Sequence, residues 1–140
     1  MALLMPGYHI SLVVEDVPEA MEQLGSLLGL EWSPVMNRDD VTFVYSKQGP
    51  PYLELLNRRP GTPAEQLGLN HIGVWVDDMH KESERLEALG CPLEAVNTGP
   101  DGEWSGGCFH MTESGLRVEL VQIGSSGPKL LHLLGGGKYA

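Results

Sequence analysis

Two stretches decide the fold: Tyr8-His9-Ile10-Ser11-Leu12-Val13-Val14-Glu15-Asp16 and Asn70-His71-Ile72-Gly73-Val74-Trp75-Val76-Asp77-Asp78. Each sets a histidine early in an alternating apolar run that closes on acidic residues, the pattern of a strand with one buried face. Sliding the first onto the second carries His9 onto His71, Asp16 onto Asp78 and Leu24 onto Leu86. A second echo follows in Tyr52-Leu53-Glu54-Leu55-Leu56 and Arg117-Val118-Glu119-Leu120-Val121, where one glutamate lies between aliphatic residues in each half. The chain is therefore read as a duplication.

Working outward, Asp16 caps a helix with Pro18 in its first turn and Met21, Leu24, Leu27 and Leu28 at helical spacing, and Gly29 stops it. Strands are expected at 31–36, 41–47 and 52–57, with turns at Asn37–Asp40 and at Gly49-Pro50-Pro51. The second half repeats the order. It has a strand at 70–77, a helix at 79–89 ended by Gly90, and strands at 92–97, 107–112 and 117–123, with a Gly- and Pro-containing loop at 98–107. The fold class is thus α+β, with two tandem βαβββ modules forming a cupped, mostly antiparallel sheet and the helices outside. One domain spans 1–140, with module one at 7–58, a linker at 59–68, module two at 69–123 and a tail at 124–140. The tail carries an apolar patch, Leu130 to Leu134, suited to a dimer contact.

Composition fixes the setting. The chain has 140 residues and is 41% hydrophobic, enough for the core of a single domain. Nine basic against nineteen acidic residues leave a net charge of -10, which excludes nucleic acid and anionic membrane as expected partners. Met1 to Pro6 is too short for a signal segment, so a cytoplasmic location is expected. Cys91 and Cys108 form no metal or redox spacing and read as buried thiols.

Face assignment turns the duplication into a site. The aliphatic face of each first strand packs on its helix, which sends His9 and His71 into the concavity; Leu53 and Leu55, or Val118 and Leu120, do the same for Glu54 and Glu119. A lone strand histidine is ordinarily a core or surface residue, and a lone strand glutamate faces solvent. Both pairs recurring in register is what points to metal. Two neutral imidazoles and two carboxylates balance one divalent ion, whether zinc, nickel, cobalt, manganese or iron. Such an ion stabilises charge developing on a carbonyl oxygen, and Glu54 or Glu119 is the candidate base for the neighbouring proton.

The segments from His9 and His71, each followed by a helix ending in Leu-Gly, and the closing Leu-Glu-Leu and Val-Glu-Leu, resemble the vicinal oxygen chelate superfamily. That superfamily includes glyoxalase I, methylmalonyl-CoA epimerase, extradiol dioxygenases, fosfomycin-resistance thiol transferases and bleomycin-binding proteins. The resemblance covers about residues 7–123 and implies that His9, Glu54, His71 and Glu119 are the metal ligands. It also implies a metal-dependent isomerase, epimerase or lyase acting on a small molecule, usually as a homodimer. A sequestering protein for an aromatic compound and an iron-dependent dioxygenase are the alternatives. The cup is expected from the two modules of one chain or from modules of two chains. Five further residues are candidates for substrate contact. Tyr45 and His110 precede Glu54 and Glu119 by the same interval, Trp75 shares the face of His71, Trp104 sits in the covering loop, and Arg117 shares the face of Glu119.

Overall fold

A computed structural model describes residues 8–123, so the expected tail contact at Leu130 to Leu134 lies outside the described residues. Its order is β1 (His9–Val14), α1 (Val17–Leu28), β2 (Met36–Arg38), β3 (Val41–Tyr45), β4 (Tyr52–Asn57), then β5 (Gly68–Val76), α2 (Met79–Ala88), β6 (Leu93–Thr98), β7 (Trp104–Met111) and β8 (Arg117–Gln122). Both helices begin on the aspartates that the duplication superposes. The Asp16 carboxylate accepts from the Glu19 amide at 2.9 Å and that of Asp78 from the Lys81 amide at 3.1 Å, each satisfying a donor the first turn leaves open. Gly29, in the left-handed region, closes α1.

All eight strands form one curled sheet in the order β2-β3-β4-β1-β5-β8-β7-β6. Within each module the first and last strands run parallel, β1 with β4 and β5 with β8, while every other neighbouring pair is antiparallel. The modules join through β1 and β5, which places the four strands that carry His9, Glu54, His71 and Glu119 side by side at the centre. Their registers match: Ser11 pairs with Glu54 and Gly73 with Glu119, so the two copies agree although their glutamates are not offset by the same amount as their histidines.

The convex face is apolar and carries the helices. Val17 and Ala20 of α1 pack with Leu12, Val14, Val44 and Leu55, and Met79 of α2 packs with Val74, Val76, Cys108 and Leu120. Fully burying one such side chain stabilises by about 1.5–3 kcal/mol, so this layer holds the sheet's curvature. One expected strand is largely absent. Over 31–35 the chain makes only an isolated bridge, Trp32 to Ser46, and strand pairing starts at Met36. Pro34 has no amide hydrogen for a ladder, and the Trp32 indole donates to the Met21 carbonyl at 3.0 Å, tying the segment to α1.

Candidate metal centre

The concave face brings the two histidines and two glutamates together within one chain. The Nε2 atoms of His9 and His71 lie 3.2 Å apart. Glu119 Oε1 is 3.2 Å from His9 Nε2 and 3.3 Å from His71 Nε2, while Glu54 Oε1 stands at 3.8 and 3.6 Å. Donors bound to one ion at about 2.0–2.2 Å are roughly 2.8–3.6 Å from each other, so His9, His71 and Glu119 are spaced for a shared ion and Glu54 is a little wide. The histidines are 1% and 2% exposed. Glu54 Oε1 is buried with no hydrogen-bond partner among the described residues, a costly state for a carboxylate that a cation would relieve. Donor type, convergence and this unsatisfied oxygen all fit a divalent ion.

Each ligand is placed differently. Asn70 accepts from His71 Nδ1 at 2.7 Å, which turns Nε2 toward the cup, and its own amide is held by the Pro63 carbonyl at 2.9 Å. His9 Nδ1 has no such partner and is held by shape. Its ring lies over Gly73, where a Cβ would come within 2.0 Å of Cε1. The edge of Tyr45 closes the other side, with ring centroids 5.5 Å apart. Phe109 packs likewise on His71 at 5.1 Å. Gly107 gives Glu119 its room, since a Cβ there would meet Oε2 at 2.4 Å.

Electrostatics separates the groups. Burial disfavours the charged forms of both His9 and Glu119, but their mutual attraction overrides it. The hydrogen bond to Glu119 and the nearby carboxylates hold the His9 imidazole above its usual 6.5. The bonds to His71 and His9 take the Glu119 carboxyl down from 4.5 to about 2. Burial, then the charges of Glu54 and Glu119, push the Tyr45 phenol well above 10, so it stays protonated.

Of the expected substrate-contact residues, Tyr45 and Arg117 line a cavity of about 470 Å³ together with Glu54, His71 and Glu119. Arg117 is committed to Glu94 and, at 3.2 Å, to the Asn70 carbonyl. Trp75 lies on the ligand face but is 1% exposed, forming the floor with Tyr45 and Val121. His110 and Trp104 face α2 instead. His110 Nδ1 donates to the Cys91 carbonyl and Nε2 accepts from Ser83, both at 2.8 Å. Trp104 begins β7 rather than lying in a loop, and stacks on His80 at 4.3 Å.

Turn parity explains His110. The β3–β4 hairpin closes on Ser46 and Leu53 around an even run, so Tyr45 faces Glu54. The β7–β8 hairpin closes on Thr112 and Leu116 around Glu113-Ser114-Gly115, an odd loop with Gly115 at φ 90°. The register moves by one residue, so Phe109, not His110, faces Glu119, and His110 turns to the other side. Cys108, on that same side, is fully buried, and burial raises its thiol to about 11 despite a hydrogen bond to Ser83.

Sequence reading missed Asn70, Gly73, Gly107 and Phe109 as parts of the site. Gly73 and Gly107 carried a usable signal, because glycine inside a strand marks close approach of another group.

Comparison with known proteins agrees with this architecture. A methylmalonyl-CoA epimerase of Streptomyces coelicolor, solved in complex with 2-nitronate-propionyl-CoA, superposes with a TM-score of 0.70 at 18% identity, covering 86% of this chain and 95% of that one. The methylmalonyl-CoA epimerase of Mycobacterium tuberculosis gives 0.66 at 19% identity, with 87% and 91% covered. A hypothetical protein of Bacillus halodurans gives 0.68 at 16% identity, with 81% and 91% covered. At these identities the likeness establishes the fold. The family model of the glyoxalase/bleomycin resistance protein/dioxygenase superfamily matches residues 8–106, most of the chain, and the chain belongs to that superfamily.

Proposed function

We propose that this protein is a metal-dependent isomerase, epimerase or lyase that removes a proton next to a carbonyl of a small organic substrate. The observation that carries the reading is the convergence of His9 and His71 Nε2 with Glu119 in a buried cup, with Glu54 at its edge. The epimerase-like fold of the neighbours supports the same class of chemistry.

His9, His71 and Glu119 would hold the ion, with Glu54 at the fourth position. When bound, a divalent ion supplies a Lewis acid for charge developing on the carbonyl oxygen. Glu119, 3.2 and 3.3 Å from the two imidazole Nε2 atoms, is the carboxylate suited to ligation. Glu54, wider and without a hydrogen bond at Oε1, is the carboxylate suited to taking the proton. Tyr45 fixes the His9 ring.

Solvent deuterium exchange followed by NMR tests this, using metal-loaded protein and a panel of 2-oxo acids and thioesters. The expected result is label at the carbon next to the carbonyl, abolished by chelation. If no compound exchanges while an aromatic ligand binds tightly, a sequestering role replaces this one. One feature favours a second reading: the tight two-histidine, one-carboxylate set is also the donor set of non-haem ferrous oxygenases. Oxygen uptake with catechols by iron-loaded protein would select it. We also propose a homodimer, because β2 and β6 end the sheet and strand edges invite pairing. Light scattering at micromolar concentration should give twice the chain mass, and a monomer contradicts it.

A further inference from the structure

Cations are scarce in this chain, nine in all, and Arg38, Arg59 and Arg117 line the same cavity. Arg117 is neutralised by Glu94. The other two are not. Arg38 makes no ion pair among the described residues, and the one ion pair of Arg59 is a loose 3.9 Å contact to Asp40, whose side chain is 74% exposed. Arg59 Nε is buried without a hydrogen-bond partner among the described residues. A guanidinium in that state is pre-set for a planar oxyanion, which would satisfy its donors in pairs.

The ground between Arg59 and the metal site is apolar. Leu56 follows Glu54 by two residues on the same face of β4, about 7 Å farther along the strand, and Phe43, its cross-strand partner, lines the cavity beside it. Arg59 lies just beyond the end of β4. The cavity is therefore bipolar, with a site for chelating oxygens at one end, a hydrophobic middle, and uncommitted positive charge at the other. Its volume of about 470 Å³ suits a compact organic ligand.

We infer that the ligand of this cavity is an elongated organic acid, chelating through oxygens at one end and delivering a carboxylate or phosphate to Arg59, assisted by Arg38, at the other. This rests on the metal reading above. It adds the distal charge and the apolar spacer.

The test is calorimetric binding of monohydroxamates to metal-loaded protein. Succinic, adipic and suberic acid monohydroxamates are each compared with the uncharged terminal amide and with the matching phosphonate. The length series allows for the span. At least one acid should bind about tenfold or more tightly than its amide. Arg59→Ala should bring the two within about twofold while leaving amide affinity and metal content unchanged, and Arg38→Ala should erode the preference partway. Phosphonate or carboxylate binding more tightly tells which oxyanion the site is built for. If acids and amides bind alike at every length, or the preference survives Arg59→Ala, this inference fails and the metal site stands. If neither form binds at any length, both readings fail.

Discussion

The two modules place their equivalent candidate ligands by different means. In module two, His71 is oriented by a hydrogen bond from Nδ1 to Asn70, and Glu119 touches both imidazoles at 3.2–3.3 Å over Gly107. In module one, His9 has no partner at Nδ1 and is confined by Gly73 beneath it and Tyr45 at its edge, while Glu54 stands off at 3.6–3.8 Å. Even the strand neighbours differ, since Ser11 occupies in β1 the place that Gly73 has in β5. A duplicated unit has thus diverged into a half that fixes ligands by hydrogen bonding and a half that fixes them by shape. In the function proposed above, the looser half carries the carboxylate that moves the proton.

The largest expected effect comes from filling the space under His9. Gly73→Ala puts a methyl against a ring rather than against a flexible chain end, so the imidazole must leave its position. Metal should no longer be retained in equilibrium dialysis, with far-UV circular dichroism unchanged. Gly107→Ala presses only on the tip of Glu119 and should cost less. If Gly73→Ala binds metal normally, the shape-based half of the comparison is wrong.

Next is the division of labour between the carboxylates. Glu54→Gln should keep its metal and lose about 10²–10⁴-fold in proton exchange, since an amide cannot accept the proton. Glu119→Gln should chiefly weaken metal retention. The reverse pattern would assign the base to Glu119.

Asn70→Ala removes the bond that orients His71 and should lower metal affinity about 10–100-fold. An unchanged dissociation constant would mean that both histidines are held by shape alone.

The pH dependence of the metal-free chain follows from two opposed shifts. Glu119 has a depressed pKa, so its stabilisation is present above 4.5 and drains away as pH falls toward about 2. His9 has a raised pKa, so its contribution is full below 6.5 and is lost as pH rises through the higher folded value. Urea midpoints of chelator-treated protein should therefore decline on both sides of an interval from about pH 4.5 to 6.5. Metal uptake should weaken as pH falls through the His9 range, because protons compete for Nε2. A midpoint that rises steadily from pH 6 to 9 would contradict the His9 assignment.

The smallest effect on the site is expected behind the sheet. Ser83→Ala breaks the bond to His110 and should cost about 1–3 kcal/mol of stability while leaving metal content and exchange intact. Loss of metal there would place His110 in the site after all.

Much of this site was legible because strand alternation is rigid. Once Leu12, Leu55, Val74 and Leu120 are assigned to the helix side, His9, Glu54, His71 and Glu119 can only face the cup. Helix ends were legible for an equally local reason, the aspartate caps. What failed depended on loop geometry. His110 and Tyr45 hold matching places in the sequence, yet an odd turn at Glu113-Ser114-Gly115 puts Phe109 opposite Glu119. Trp104 falls within the Gly- and Pro-containing stretch 98–107 that reads as a loop, yet pairing of Thr98 with Trp104 makes it the start of β7. The grouping of Arg59 with the cavity arises from the fold of the linker around Ala64, which no periodicity encodes.

The most direct test of the central claim is elemental analysis of protein purified without chelator, wild type beside His71→Ala. The account predicts one divalent ion per chain in the wild type and loss of most of it in the variant, both remaining folded. Full occupancy in His71→Ala would contradict it.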